Sequence, residues 1–82
     1  MRFIIKITDT RTRGVYYVGE GTYRVNSEKY AVLRTIEREA KRYKTYHIAK
    51  RAYELLYESC VNLDGEVEFV KVDETTRDRQ TF

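Results

Sequence analysis

Residues 45–60 read Thr45-Tyr46-His47-Ile48-Ala49-Lys50-Arg51-Ala52-Tyr53-Glu54-Leu55-Leu56-Tyr57-Glu58-Ser59-Cys60, and this stretch decides the fold. It carries a clear helical period. Ile48, Ala49, Ala52, Leu55, Leu56 and Cys60 follow the i, i+4, i+7, i+8 spacing of a helix face that packs on something else. The spacing predicts a main helix near 45–60 with those six side chains turned inward. Thr45 has the short hydroxyl side chain that suits a helix N-cap. Tyr46, Lys50, Tyr53 and Tyr57 form a second stripe beside the first, and the sequence does not name what that stripe meets.

Working towards the N-terminus, residues 26–44 admit two readings. Asn26 or Ser27 could cap a helix, and Leu33, Ile36, Ala40 and Tyr43 recur at helical spacing, which predicts a second helical segment within 28–41. The competing reading makes Tyr30–Arg34 extended and leaves a helical turn at Ile36–Ala40. Further back, Phe3, Ile5 and Ile7 alternate with Arg2, Ile4, Lys6 and Thr8, the period of a strand near 2–8 with one face on a core and the other towards water or a partner. Asp9 to Gly14 reads as the turn. Val15-Tyr16-Tyr17-Val18 is rich in strand formers and returns antiparallel as a strand near 14–19. Gly19-Glu20-Gly21 interrupts it, so Thr22–Val25 is either a new short strand or a bulged continuation.

Working towards the C-terminus, Asn62-Leu63-Asp64-Gly65 is a stop signal whose glycine can take a positive φ. Glu66–Val72 then alternates as a strand near 66–72. Its parity slips at Phe69-Val70, as a bulge or a strand covered on both faces would require. Residues 73–82 are polar and without period, and read as a tail. The sum is an α+β domain over 1–72 in two layers, a helix lying across an antiparallel sheet.

Composition narrows the classes. At 82 residues the chain is one small domain with a modest core. The single cysteine excludes an internal disulfide, and no window reaches the ~20 apolar residues of a membrane span. These features predict a soluble cytoplasmic protein that does not enter a membrane. The net charge is +3, yet residues 1–63 carry thirteen basic against seven acidic side chains and residues 64–82 carry three against six. Such asymmetry suits a face that meets an anionic partner, and a solvated surface produces it too.

The inventory of reactive groups is thin, and we expect neither an enzyme nor a cofactor or metal site. His47 is the only histidine. Its helical neighbours Tyr43, Lys44, Lys50 and Arg51 offer no carboxylate to orient the ring, so it reads as a surface residue. Cys60 lies at a helix C-terminus, where the dipole disfavours a thiolate, and reads as a small core residue. Glu66 and Glu68 share a strand face, where alternating exposed charges explain them without chemistry. Gly19-Glu20-Gly21 lacks the strand-to-helix context of a phosphate loop.

What stands above background is basic and aromatic. Arg34, Arg38, Lys41, Arg42, Lys44, Lys50 and Arg51 lie within eighteen residues, interleaved with Tyr43, Tyr46, Tyr53 and Tyr57. Basic groups neutralise phosphates, and tyrosine rings stack on bases or anchor protein interfaces. The candidate partner- or nucleic-acid-binding residues are Arg38, Lys41, Arg42, Lys44, Tyr46, Lys50, Arg51, Tyr53 and Tyr57. The bland alternative is that the tyrosines staple the helix edge to the sheet while the cations keep the chain in solution.

The stretch Glu39-Ala40-Lys41-Arg42-Tyr43-Lys44-Thr45, followed by Ala49 and Ala52, resembles small proteins encoded by phages and mobile elements of bacteria. In these an N-terminal hairpin of the FIIKI and YYV type precedes an AKRYKT-like segment, and a short strand such as EVEFVKV closes the domain. Some small phage proteins of this build inhibit host defence, anti-CRISPR proteins among them. The resemblance implies a role in binding and blocking a protein or ribonucleoprotein partner, such as a nucleic-acid-guided nuclease of the bacterial host cell. Two further readings come from the residues themselves. One is direct nucleic-acid binding that weakens steeply with salt. The other is self-association through an open sheet edge at Val15–Val18 or Val67–Val72.

Overall fold

A computed structural model describes residues 2–72. Four strands form one antiparallel sheet: β1 (Arg2–Thr8), β2 (Val15–Val25), β3 (Glu28–Arg34) and β4 (Glu66–Val72), in the order β3-β2-β1-β4. One helix, α1 (Tyr46–Ser59), lies across the sheet, and a single 3-10 turn spans Glu37–Glu39. This is the expected two-layer α+β domain, with β1, the start of β2, β4 and the main helix at the expected places and β3 where a second helical segment was expected. No helix among the described residues is long and apolar enough to cross a membrane.

The window within 28–41 resolves to the strand-first reading. Glu28–Arg34 is extended, and the only helical backbone there is the 3-10 turn. Asn26 and Ser27 cap no helix; at φ values of 50° and 73° they form the two-residue hairpin turn that joins β2 to β3. Two left-handed residues match the twist of the strands they connect. Beside the turn, the rings of Tyr23 and Tyr30 stack across the ladder at 5.4 Å.

β2 is a bulged continuation. Val18 pairs with Leu33 and Thr22 with Ala31, so Gly19-Glu20-Gly21 stands opposite Val32 alone. The bulge turns β2 away from β1, whose ladder with β2 covers only Thr8–Lys6 against Val15–Tyr17. The opening is filled by residues 41–43. Lys41 N–H donates to the Val18 carbonyl at 2.9 Å, and Tyr43 and Phe3 exchange two backbone hydrogen bonds of 2.8 Å. A short piece of chain thus completes the middle of the sheet and delivers Thr45 to its capping position.

Thr45 Oγ1 accepts a hydrogen bond from Ile48 N–H at 3.1 Å, the N-cap contact expected from the sequence. Thr45→Ala removes the acceptor for an otherwise orphaned amide and should lower unfolding free energy by about 1 kcal/mol, while Thr45→Ser should retain most of it, as urea unfolding of the two variants will show. At the other end of the sheet, Asp9 Oδ1 accepts from Arg11 N–H at 2.8 Å and Thr12 N–H at 3.1 Å. These two backbone donors hold its carboxyl below the ordinary carboxylate range, and they fix the β1–β2 turn in which Arg13 takes φ 65°.

The core lies between α1 and the sheet: Ile5, Ile7, Val18, Ala31, Tyr43, Ala49, Cys60 and Leu63 are buried together, with Phe3, Leu33, Ala52, Tyr53, Leu56, Val67 and Phe69 packed around them. Cys60 is a buried free thiol and His47 an exposed helix residue, as expected. The second face of β1 is not simply open. Ile4 is fully buried there, and its cross-strand partner Val70 is half-buried. The parity slip at Phe69-Val70 is therefore a strand apolar on both faces, with unbroken pairing to β1 from Arg2↔Val72 to Thr8↔Glu66. The expected tail, 73–82, lies outside the described residues.

Candidate functional site

α1 is rotated from the orientation its leucine and isoleucine spacing predicts. Ala49 and Cys60 are buried and Ala52 and Leu56 half-buried, but Ile48 is 47% exposed and Leu55 52% exposed. On the opposite flank, tyrosines of the second stripe reach aromatic rings of the sheet, Tyr53 half-buried and Tyr46 still 48% exposed. Tyr53 packs against the core, and its ring meets Phe69 edge-on at 5.9 Å; Tyr46 meets Phe69 at 5.3 Å and Phe3 at 6.2 Å. Edge-to-face rings on the sheet offer large contact areas with favourable geometry, and that anchors the helix by its aromatic flank. Apolar and aromatic residues cover more of the circumference of α1 than one small sheet can bury. The surplus, Ile48 and Leu55, is left on the opposite flank.

That flank faces a groove. Gly19, Gly21 and Thr22 of the β2 bulge form one wall, Ala52, Leu55 and Leu56 of α1 the other, and Lys41 and Tyr43 complete a lining around about 250 Å³. Gly21, at the bulge, brings no side chain to this wall. Tyr43 is buried, and burial first and then the Glu20 carboxylate push its phenol above the usual 10, so it stays neutral. Lys41 Nζ pairs with Glu20 Oε2 at 3.2 Å and lies 5.4 Å from the centre of the Tyr43 ring. The groove thus has an apolar floor and one ion pair beside it.

The nine candidate residues do not form one patch. Lys41 is held by Glu20 beside the groove, and Arg51 pairs along the helix with Glu54 at 3.8 Å. Arg38 and Lys44 are exposed and Arg42 is half-buried in the segment before α1. Lys50 is exposed on the tyrosine flank. Tyr57 is 59% exposed and leans on Tyr53 at 5.8 Å. Burial raises the Tyr53 phenol above 10, with Tyr57 and Asp64 adding to it. Of the tyrosines offered for stacking, Tyr53 and Tyr46 already spend ring surface on Phe69.

No known protein family, curated protein or solved structure matches this chain. Sequence reasoning missed Ile48, Leu55 and the Gly19–Thr22 wall as surface features. The available signal was the width of the apolar arc on α1, which is too broad for a single buried face. Among the described residues no three His, Cys, Asp or Glu side chains gather as a metal site needs.

Proposed function

We propose that this chain is a non-enzymatic binding module that docks on a partner protein through the Ile48–Leu55 flank of α1 and the groove beside it. The observation that carries this reading is half-exposed Leu55 in the lining of a largely apolar groove, with half-exposed Ile48 two turns before it on the same flank of α1. Exposed apolar side chains beside a groove are where a docking partner gains most burial. In the narrower reading the partner belongs to a nucleic-acid-guided nuclease of a bacterial host, a ribonucleoprotein, and docking inhibits it. The resemblance to small phage proteins supports that step.

A photo-crosslinking residue at Leu55 tests the docking surface. In bacterial lysate containing such a nuclease it should yield one discrete protein adduct that the same probe at Arg11, on the far turn, does not. Equal labelling from both positions, or none from Leu55, removes the reading. Ile48→Lys with Leu55→Lys should abolish the adduct from a probe at Thr22 while changing unfolding free energy by no more than about 0.5 kcal/mol per site, because neither side chain is in the core. Inhibition is tested separately by whether expression of the chain restores plaques of a phage that the nuclease restricts.

Direct nucleic-acid binding draws on the exposed Arg38, Lys44 and Lys50. It requires an affinity that falls steeply with salt. A gel shift at low salt, lost by charge reversal at those three positions and untouched by Ile48→Lys, would favour it over protein docking.

A further inference from the structure

The two edges of the sheet are treated differently. On β3, the outer backbone is occupied: Asn62 Oδ1 accepts from Ala31 N–H and Asn62 Nδ2 donates to the Ala31 carbonyl, both at 2.9 Å, and Val61 N–H donates to the Lys29 carbonyl at 3.0 Å. On β4, among the described residues, only the inner edge is paired, with β1. Val15–Val18, once a candidate edge, belongs to β2 in the interior of the sheet. Among the described residues, β4 is therefore the strand whose outer row of backbone donors and acceptors is open to an incoming chain.

The surroundings of that edge are two-sided. Towards α1 lie Phe69 and the tyrosine flank, with Tyr46 48% exposed and Tyr57 59% exposed. Towards the other face lie Glu66 and Glu68, both exposed, on the side shared with Thr8 and Lys6. A strand laid along β4 alternates its side chains between these two sides. We propose that the outer edge of β4 accepts an extended peptide in which basic residues alternate with apolar or aromatic ones. The basic residues sit against Glu66 and Glu68, and the apolar ones against Phe69, Tyr53 and Tyr57. A second copy of the chain fits less well. Antiparallel pairing of β4 with itself gathers Glu66 and Glu68 of both copies on one face, and like charges on neighbouring strands are disfavoured. This site is separate from the Ile48–Leu55 flank and stands or falls without it.

The test uses the full chain, isotope-labelled, and two synthetic peptides, acetyl-KVKFKV-amide and acetyl-EVEFEV-amide. The lysine peptide should produce saturable amide shifts centred on β4 and slow hydrogen exchange at alternate amides between Glu66 and Val72. Glu66→Lys with Glu68→Lys, two surface changes, should weaken the lysine peptide at least tenfold and give measurable binding of the glutamate peptide. Absence of binding, shifts confined to Ile48 and Leu55, or affinity indifferent to the charge reversal each overturn the proposal. So does a concentration-dependent dimer that protects β4 without any peptide, since a second copy would then be the occupant.

Discussion

Gly65→Ala should destabilise the domain by about 4 kcal/mol and lower its thermal midpoint by roughly 15 °C or more. Gly65 has φ +130°, a backbone conformation that L side chains rarely adopt, and a Cβ built there would lie 2.3 Å from the Thr8 carbonyl oxygen and 2.9 Å from its carbon. The obstacle is backbone, which cannot rotate aside as a side chain would. Thr8 is moreover fixed from both sides, paired with Val15 on β2 and Glu66 on β4. Relief requires moving the start of β4 or the end of β1. For a domain whose total stability is on the order of 5–15 kcal/mol, that loss is a large fraction. Gly21→Ala is the control. Gly21 also has positive φ, at +81°, but nothing lies within 4 Å of its Cβ position. It should lose about 1 kcal/mol, the conformational part alone. If urea unfolding gives equal losses for the two, the Thr8 contact is not what fixes Gly65.

Asn62→Ala should cost about 3 kcal/mol, nearly as much, by a different route. Ala31 is fully buried, and its backbone N–H and C=O both find their outer partner in the Asn62 amide. Removing that side chain leaves two backbone groups in a partly buried setting without partners, at about 1–3 kcal/mol each where water cannot reach them. Asn62→Asp is the sharper variant. It keeps an acceptor for Ala31 N–H but sets a carboxylate oxygen against the Ala31 carbonyl, so it should also destabilise. Amide exchange distinguishes a local from a global effect: under native conditions Ala31 N–H should exchange faster in Asn62→Ala by more than the change in global stability explains. Exchange at Ala31 unchanged from the parent would show that Asn62 does not guard it.

Much of this architecture is legible in the sequence, and the misses have physical causes. The Thr45 cap, the β1, β2 and β4 strands and the positive φ of Gly65 are set by local chemistry that neighbouring residues decide, whereas the helix stops at Ser59, before the expected Asn62–Gly65 signal. The stretch 26–44 is not set locally. Val25-Asn26-Ser27-Glu28 makes a tight hairpin without the glycine that usually marks one, and Leu33, Ile36, Ala40 and Tyr43 mimic a helical repeat because a strand, a turn and an inserted segment happen to place apolar residues three and four apart. Tyr43 is buried because the bulge at Gly19–Gly21 opens a slot for it, a tertiary fact with no local signal. The rotation of α1 was unreadable for a related reason. Phe3 and Phe69, residues of the sheet, meet the rings of Tyr46 and Tyr53, while Ile48 and Leu55 stay half-exposed on the other flank. The candidate site inherits that error: its cations and tyrosines are where the sequence puts them along the chain, but distributed over two flanks with different surroundings.

Arg2 and Val72 are cross-strand partners, so the first and last described strands run side by side through the whole of their pairing. Closing that ladder brings together positions seventy residues apart, a contact whose loop-closure entropy must be met before it returns any enthalpy. A circularly permuted chain, joined by a glycine-serine linker across these neighbours and opened between β3 and the 3-10 turn, makes the same ladder local while keeping the β1–β2 and β2–β3 hairpins local. Rewiring the chain at the seam between β1 and β4 should therefore speed folding while leaving the fold itself intact.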